Sequence, residues 1–367
     1  MRLPPFTDLR KPKKIITAMS GGIDSATAVA ILHASGVTTE GVTLILQPSR
    51  PGIESCGGDS TAASAGETAA HLGIPHSILD VSKEFSETVL SRCWNEYSTG
   101  KTPNPCPICN RYMKFDTLLE YADIKKADGV ATGHYARISK SGPDYILKRG
   151  IDPEKDQSYF LFYLDRKNLS KIFFPLGELR KQDIKEIGRE LGLPAAKRKE
   201  SQDACFSIPG MEFAESLRSF FNAEAEGGIF IKPDGEVLGS HQGIHRYTIG
   251  QRKGTGISLG VPAYVSRIHY PAGNIEITTR QEDLFRDSFT AGECNWLADT
   301  KSPGEIRCLI QIRYRHKAVP GKIVIEDDLK TVRVKTDIPQ RAVTPGQAAV
   351  FYDGETVLGG GWIQPYE

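Results

Sequence analysis

The run Ile15-Ile16-Thr17-Ala18-Met19-Ser20-Gly21-Gly22-Ile23-Asp24-Ser25 limits the folds open to this chain more than any other stretch. Residues of strand character, Ile15 to Met19, meet two glycines, and a helical run from Ser25 to Ser35, closed by Gly36, begins at once. A strand that hands over so abruptly to a helix belongs to an open α/β sheet. At its carboxyl edge the backbone amides and the positive helix end favour anions. Gly21 and Gly22 let the backbone approach a phosphate, Ser20 and Ser25 offer hydroxyls, and Asp24 is a candidate magnesium ligand. No Gly-Lys-Ser/Thr ending and no G-x-G-x-x-G pattern is present, so this is neither a Walker A loop nor a dinucleotide fingerprint. An ordinary strand-to-helix turn with a Ser or Asp cap is the plainer alternative.

The rest of the first half keeps the α/β order. Val42 to Leu46 reads as a strand, Thr61 to Leu72 as a helix ended by Gly73, and Ser77 to Val81 as a strand. Lys83 to Tyr97 reads as a helix and Gly129 to Thr132 as a buried strand. After Pro209 the texture changes: "KPDGEV", "YPAGNI", "EDDLKT" and "YDGETV" each sit between alternating apolar runs and predict hairpins. The expected architecture is therefore a parallel-sheet α/β domain over 1–209, a small central domain over 210–280 and an antiparallel β-barrel over 281–367. A length of 367 residues suits two or three such domains.

A net charge of +1 rules out a uniformly basic nucleic-acid binder and leaves local clusters to meet any polyanion. Such clusters are Lys11, Lys13 and Lys14; Lys197, Arg198 and Lys199; Arg246, Arg252 and Lys253; and Arg313, Arg315 and Lys317. Taken alone, each reads first as a solvated face. No secretory leader or membrane-length apolar run is evident, and an odd count of seven cysteines points to reduced thiols, so a cytoplasmic protein with no membrane partner is expected.

"TPNPCPICN", residues 102–110, places Cys106 and Cys109 three positions apart in a proline-rich segment. Half a zinc knuckle, a redox dithiol, two ligands of an iron-sulfur cluster and the frame of one nucleophilic thiolate all suit that spacing. Cys56, Cys93, Cys294 and Cys308 have no neighbour at ligand spacing and read as packed small apolar residues.

The loop string resembles the S-G-G-x-D-S pyrophosphate loop of the ATP pyrophosphatases, which cleave ATP between its α and β phosphates. Further strings, "NEYSTGKTPNPCPICNRYMKF", "ATGHYAR", "DQSYFLFYLDRKNLSKIFFPLGEL", "ESQDACFSIPG", "HQGIHRYTIGQRKGTGI" and "TPGQAAVFYDGETVLGGG", together resemble the bacterial tRNA-specific 2-thiouridylases, from about residue 14 to the C-terminus. That resemblance implies sulfur transfer to C2 of the wobble uridine in the anticodon stem-loop of tRNA, with ATP and magnesium as cofactors and a sulfur donor or sulfur-relay protein as partner. It implies that Ala18, Met19, Ser20, Gly21, Gly22, Ile23, Asp24 and Ser25 grip the phosphates, with Leu46 and Gly133 beside the adenosine. Cys109 would be one catalytic cysteine and Cys205 the other, carrying a persulfide and ending in a disulfide with Cys109. Asn104, Pro105 and Cys106 would border the flipped base, and His134, Lys155, Asp156, Gln157, Arg313, Tyr314 and Gln347 would touch tRNA. Two positions depart from the pattern: Cys106 stands where many members have Asp, and Ser64 where an Asp is usual.

The chemistry is coherent in its own terms. The C2 oxygen of uracil is a poor leaving group, adenylation turns it into AMP, and a sulfur nucleophile displaces it. That requires a phosphate loop, a magnesium site, a reactive sulfur and a pocket for an extruded base. Cys106, Cys109 and Cys205 offer three thiolates, one short of a closed four-cysteine site, so a [4Fe-4S] cluster with an open iron is a second expectation beside the persulfide. Tyr247 and Tyr314 are candidate stacking groups for RNA, with a plain place at the rim of a β domain as the alternative. An ATP-dependent amidotransferase would need a glutaminase that is not evident, and a zinc RNA-binding module a second ligand pair that does not appear.

Overall fold

The computed structural model describes residues 4–6, 8–47, 58–198, 210–299 and 303–366. It divides into two compact units: Met1–Val89 with Cys106–Gly210 and Glu355–Val357, and Leu90–Pro105 with Met211–Gly354 and Leu358–Glu367.

The first unit is built on β1 (Lys14–Ala18), β2 (Thr38–Ile45), β3 (His76–Asp80) and β4 (Gly129–Ala131). A hairpin of β5 (Ala136–Ser141) and β6 (Asp144–Arg149) and the short β7 (Ile172–Phe173) follow. The sheet order is β3-β2-β1-β4-β7, and every neighbouring pair is parallel. Parallel strands are covered on both faces, which is why Ile15, Ile16 and Val130 are fully buried. Helix Ile23–Ala34 packs Leu32 with Ile15, Ala131 and Phe173, and Val29 with Met19, Ala65 and Ala69 of helix Asp59–Leu72. Gly73 ends the latter helix in the left-handed region at φ 68°.

The expected strands and the first two helices fall within a few residues of where periodicity placed them. The β5–β6 hairpin and β7 were not anticipated. The single helix expected over Lys83 to Tyr97 is wound as α over Ser82–Phe85, π over Ser86–Leu90 and α over Ser91–Ser98. Its later part belongs to the second unit, where Trp94 meets His245 and Tyr97 meets Phe213 edge-on.

The second unit holds a four-stranded sheet of β8 (Gly228–Ile231), β9 (Val237–His241), β10 (Tyr264–His269) and β11 (Asn274–Thr278), in the order β10-β11-β8-β9. Its core is Phe230, Val265, Ile275 and Ile277. Tyr247 also belongs there, 7% exposed, with its ring 5.2 Å from Phe230 and 5.6 Å from His241. The stacking expectation for Tyr247 is therefore corrected: its apolar ring is worth more in this core than on a rim.

β12 (Phe285–Trp296), β13 (Gly304–Gln311), β14 (Val319–Ile325), β15 (Val332–Arg341), β16 (Ala348–Asp353) and β17 (Thr356–Ile363) follow. They run β12-β15-β14-β13-β16-β17, and β12 pairs with β17, closing a six-stranded barrel around Ile310, Ile323, Val332, Ala349 and Phe351. All four expected hairpin turns are present. Gly235, Gly273 and Gly354 take φ of 92°, 76° and 53° in three of them.

Candidate active site

Ala18, Met19, Ser20, Asp24, Ser25, Leu46, Gly133, His134 and Gln157, widely separated in the chain, line one cavity of about 250 Å3 at the carboxyl ends of β1 and β4. Thr43, Thr61, Lys114 and Thr132 complete its polar wall. Gly21, Gly22 and Ile23 form the turn behind it.

The turn is held by specific bonds. The Ser25 hydroxyl accepts from the Ser20 amide at 3.0 Å and donates to the Gly22 carbonyl at 3.0 Å. Gly21 has φ +69°, and a Cβ there would lie 2.9 Å from both Ser64 Cβ and Thr61 O. Ser64, 1% exposed, donates its hydroxyl to the Gly21 carbonyl at 3.0 Å, so the residue at this departure from the family pattern latches the loop. A Cβ on Gly133 would stand 2.8 Å from the Ser25 amide, so only glycine lets the end of β4 lie against the start of the first helix.

Asp24 Oδ1 accepts from Lys181 Nζ at 2.6 Å and from Tyr135 Oη at 2.7 Å. The Lys181 side chain is only 9% exposed, so the pair is shielded on that side. Gln157 in turn brackets Tyr135, accepting from its amide at 3.0 Å and donating its own amide to the Tyr135 carbonyl at 2.9 Å. Tyr135, Lys181 and Lys114 went unnoticed in the sequence. Tyr135 directly follows His134 and was within reach of a motif reading; for Lys181 nothing in local spacing gives a signal.

His134 Nδ1 lies 2.7 Å from Thr132 Oγ1, and its ring sits 6.0 Å from Phe115 and 6.1 Å from Phe174. Burial, and then the positive charge of Lys114, hold this imidazole well below the usual histidine range, so it is neutral at pH 7. The Asp156 carboxylate is engaged by Arg149 at 2.8 Å, the Gly150 amide at 3.0 Å and the Ser158 amide and hydroxyl at 3.1 and 2.9 Å. It braces its own loop; Lys155 beside it is half-buried.

Cys106 is exposed and Cys109 buried, one helical turn apart on Pro105–Ile108 and the π-wound segment Cys109–Asp116 that continues it. Cys205 and Cys56 lie outside the described residues, and among those described no group of three or more His, Cys, Asp or Glu side chains is placed to hold a metal. Cys93 and Cys308 are buried, and burial pushes the thiols of Cys294 and Cys308 up to about 12, as inert packing residues require.

In the second unit, Gln347 Nε2 donates to the carbonyls of Thr102 and Pro103 at 3.0 and 3.1 Å, and the Thr102 amide donates to Pro345 O at 2.8 Å. The barrel thereby fixes the chain leading into Asn104, which is buried, and Pro105. Arg313 is exposed and Tyr314 half-buried in the turn after β13, where the Arg315 guanidinium lies 5.7 Å from the Tyr314 ring.

Three family models match: a tRNA methyl transferase HUP domain over residues 13–209, a tRNA methyl transferase PRC-barrel domain over 217–278 and an aminomethyltransferase beta-barrel domain over 286–363. A tRNA-specific 2-thiouridylase of Solibacter usitatus is 39% identical, the match covering 95% of this chain and 99% of that one. Those of Acidithiobacillus ferrooxidans and Syntrophotalea carbinolica are 40% and 41% identical over 97% and 96% of this chain, and 99% of theirs. This chain belongs to the tRNA-specific 2-thiouridylases. A match that runs nearly end to end in each relative takes in the segments that build the glycine-loop cavity, the Cys109 helix and the barrel of this 2-thiouridylase.

Proposed function

We propose that this 2-thiouridylase transfers sulfur to C2 of the wobble uridine of tRNA, activating the base with ATP. The observation that supports this most is that one helical segment carries Cys109 at its start and, through Lys114, reaches the wall of the glycine-loop cavity. Nucleotide and sulfur chemistry then share one element.

ATP occupies the cavity, its adenosine beside Leu46 and Gly133 and its phosphates on Ser20 to Ser25, where backbone amides and the helix start favour anions. Among the described residues the two donors to Asp24, Tyr135 and Lys181, both sit on Oδ1, so Oδ2 suits a magnesium ion, a hard cation that takes one or two carboxylates and completes its shell with phosphate and water. When bound, the ion neutralises phosphate charge. The C2 oxygen attacks the α-phosphate, pyrophosphate leaves, and a persulfide on Cys205 displaces AMP. The Cys109 thiolate then takes the Cys205 sulfur, leaving thiouridine and a disulfide that an external dithiol reduces. The persulfide comes from a sulfur donor or relay protein. A [4Fe-4S] cluster would draw on Cys106 and Cys109, one turn apart, and on Cys205. No described helix is long and apolar enough to cross a membrane.

The test is nucleoside mass analysis of unmodified tRNA incubated with the protein, ATP, magnesium and a persulfide source, with the nucleotide products followed in parallel. Thiouridine with AMP and pyrophosphate is expected. ADP and phosphate as products would overturn the adenylation.

A further inference from the structure

Ser64 sits in the interior of helix Asp59–Leu72, 1% exposed. A serine hydroxyl has one proton to give, and inside a helix it ordinarily gives it to the carbonyl one turn back. Ser64 instead donates across 43 positions, to the Gly21 carbonyl at 3.0 Å. The helix that carries it is firmly held: Ala65 and Ala69 pack with Met19 and Val29, which precede and follow the glycine turn. The hydroxyl therefore meets the turn from a fixed place.

The bond sets a direction. In a trans peptide the carbonyl and the amide that follows it point opposite ways. With the Gly21 oxygen drawn to Ser64, the Gly22 amide faces away from helix Asp59–Leu72. Among the described residues, no protein group accepts from the amides of Gly22, Ile23, Asp24 or Ser25. A run of open donors of this kind suits an anion. The backbone by itself does not enforce the direction. Turning the peptide over changes mainly ψ of Gly21 and φ of Gly22, now −88°, and glycine accepts the positive φ that results. The turned-over form places a carbonyl oxygen where the amide had been, and that oxygen repels phosphate.

We propose that Ser64 is a positioning residue for ATP, keeping the Gly21–Gly22 peptide turned so that the Gly22 amide serves the phosphates. The inference rests on the ATP reading and adds to it the side chain that sets the loop. Ser64 acts through population: without its hydroxyl both peptide directions are open, and apparent affinity falls with the fraction of molecules in the competent one. Saturating nucleotide restores that form, so the deficit lies in affinity and not in the chemical step. It is also confined to ligands that carry phosphates, because a nucleoside has nothing to place on the Gly22 amide.

The experiment measures, by calorimetry on the full chain, the affinities for α,β-methylene ATP with magnesium and for adenosine. The kinetics of AMP formation with unmodified tRNA are followed in parallel. Ser64→Ala should weaken binding of the analogue by about 5- to 30-fold and leave adenosine within about twofold. The KM for ATP should rise along with the Kd of the analogue, while kcat falls by less than about threefold. The melting temperature should drop by a few degrees at most. Ser64→Thr keeps the donor and should bind the analogue within about threefold of wild type; Ser64→Cys, of similar shape with a weaker donor, should fall between Ser64→Ala and wild type. Unchanged analogue affinity in Ser64→Ala, an equal loss for adenosine, a loss in kcat alone, or a Ser64→Thr protein as weak as Ser64→Ala would overturn the proposal. The wild type separates the two levels: no saturable binding of the analogue by the wild type removes the ATP reading, whereas equal binding by wild type and Ser64→Ala removes only the role of Ser64.

Discussion

Cys106 and Cys109 differ in exposure although they share a helix, and that difference sets the sharpest residue-level test. If sulfur travels as a persulfide, Cys109→Ala abolishes thiouridine formation while Cys106→Ala and Cys106→Asp retain it. If three thiolates hold a cluster, Cys106→Ala fails as completely as Cys109→Ala, and anaerobically prepared protein shows stoichiometric iron. Thiouridine yield and iron content in the same samples decide between them. Asp24 is the other decisive residue. Asp24→Asn removes the carboxylate that faces both Lys181 and the cavity, so pyrophosphate release should fall roughly 100-fold or more while tRNA affinity stays near wild type. Parallel loss of tRNA binding would show that Asp24 acts through the fold.

The strand-loop-helix element depends on a backbone that only glycine accommodates. Gly21→Ala forces a side chain into the left-handed region, at about 1–2 kcal/mol, and against Ser64 and Thr61. Affinity for an ATP analogue should fall by at least about tenfold while the far-ultraviolet spectrum is kept; unchanged affinity would mean the turn does not carry the phosphates. In the second unit, helix Phe213–Phe220 is tied to the turn Ile244–Arg246 through Glu215, which accepts from Arg246 at 2.6 Å and from Arg218 and His245 at 2.8 Å. Burial alone would raise this carboxyl; the hydrogen bonds from Arg246, Arg218 and His245 outweigh it and bring it down to about 2 from an ordinary 4.5. A depressed folded value means the contribution is fully present above pH 4.5 and is lost as the pH falls towards 2. Glu215→Gln should therefore lower stability at pH 7 by about 1–3 kcal/mol, and the gap to wild type should close through that acid window in urea titrations. A gap of constant size from pH 7 to pH 2.5 would remove the ionic explanation.

For the molecule as a whole, a net charge of +1 supplies no general attraction to RNA, so affinity has to come from patches. Arg252 and Lys253, and Arg313 and Arg315, are exposed in the second unit. Replacing either pair by alanine should weaken tRNA binding and flatten its salt slope by about 1 to 2, as fewer counterions are released. Unchanged affinity and slope in both double variants would mean that this unit is not an RNA platform.

The features legible in the chain itself are those made by neighbours in sequence. The glycine loop, the first two helices, the main parallel strands and the four hairpin turns each follow from side-chain period, turn chemistry or a required positive φ. These act over a few residues and leave a local pattern. The features that were not legible are long-range. Lys181 reaches Asp24 across 157 positions, Gln347 holds Thr102 across 245, and Tyr247 turned inward once a sheet core existed to receive it. The π-winding after Cys109 likewise has no period of its own, since the same residues satisfy an α-helix nearly as well. Local hydrogen bonding is written in the order of residues, whereas an ion pair, a bracketed loop or a shifted helical register exists only where the packed chain brings distant groups together and removes water from between them.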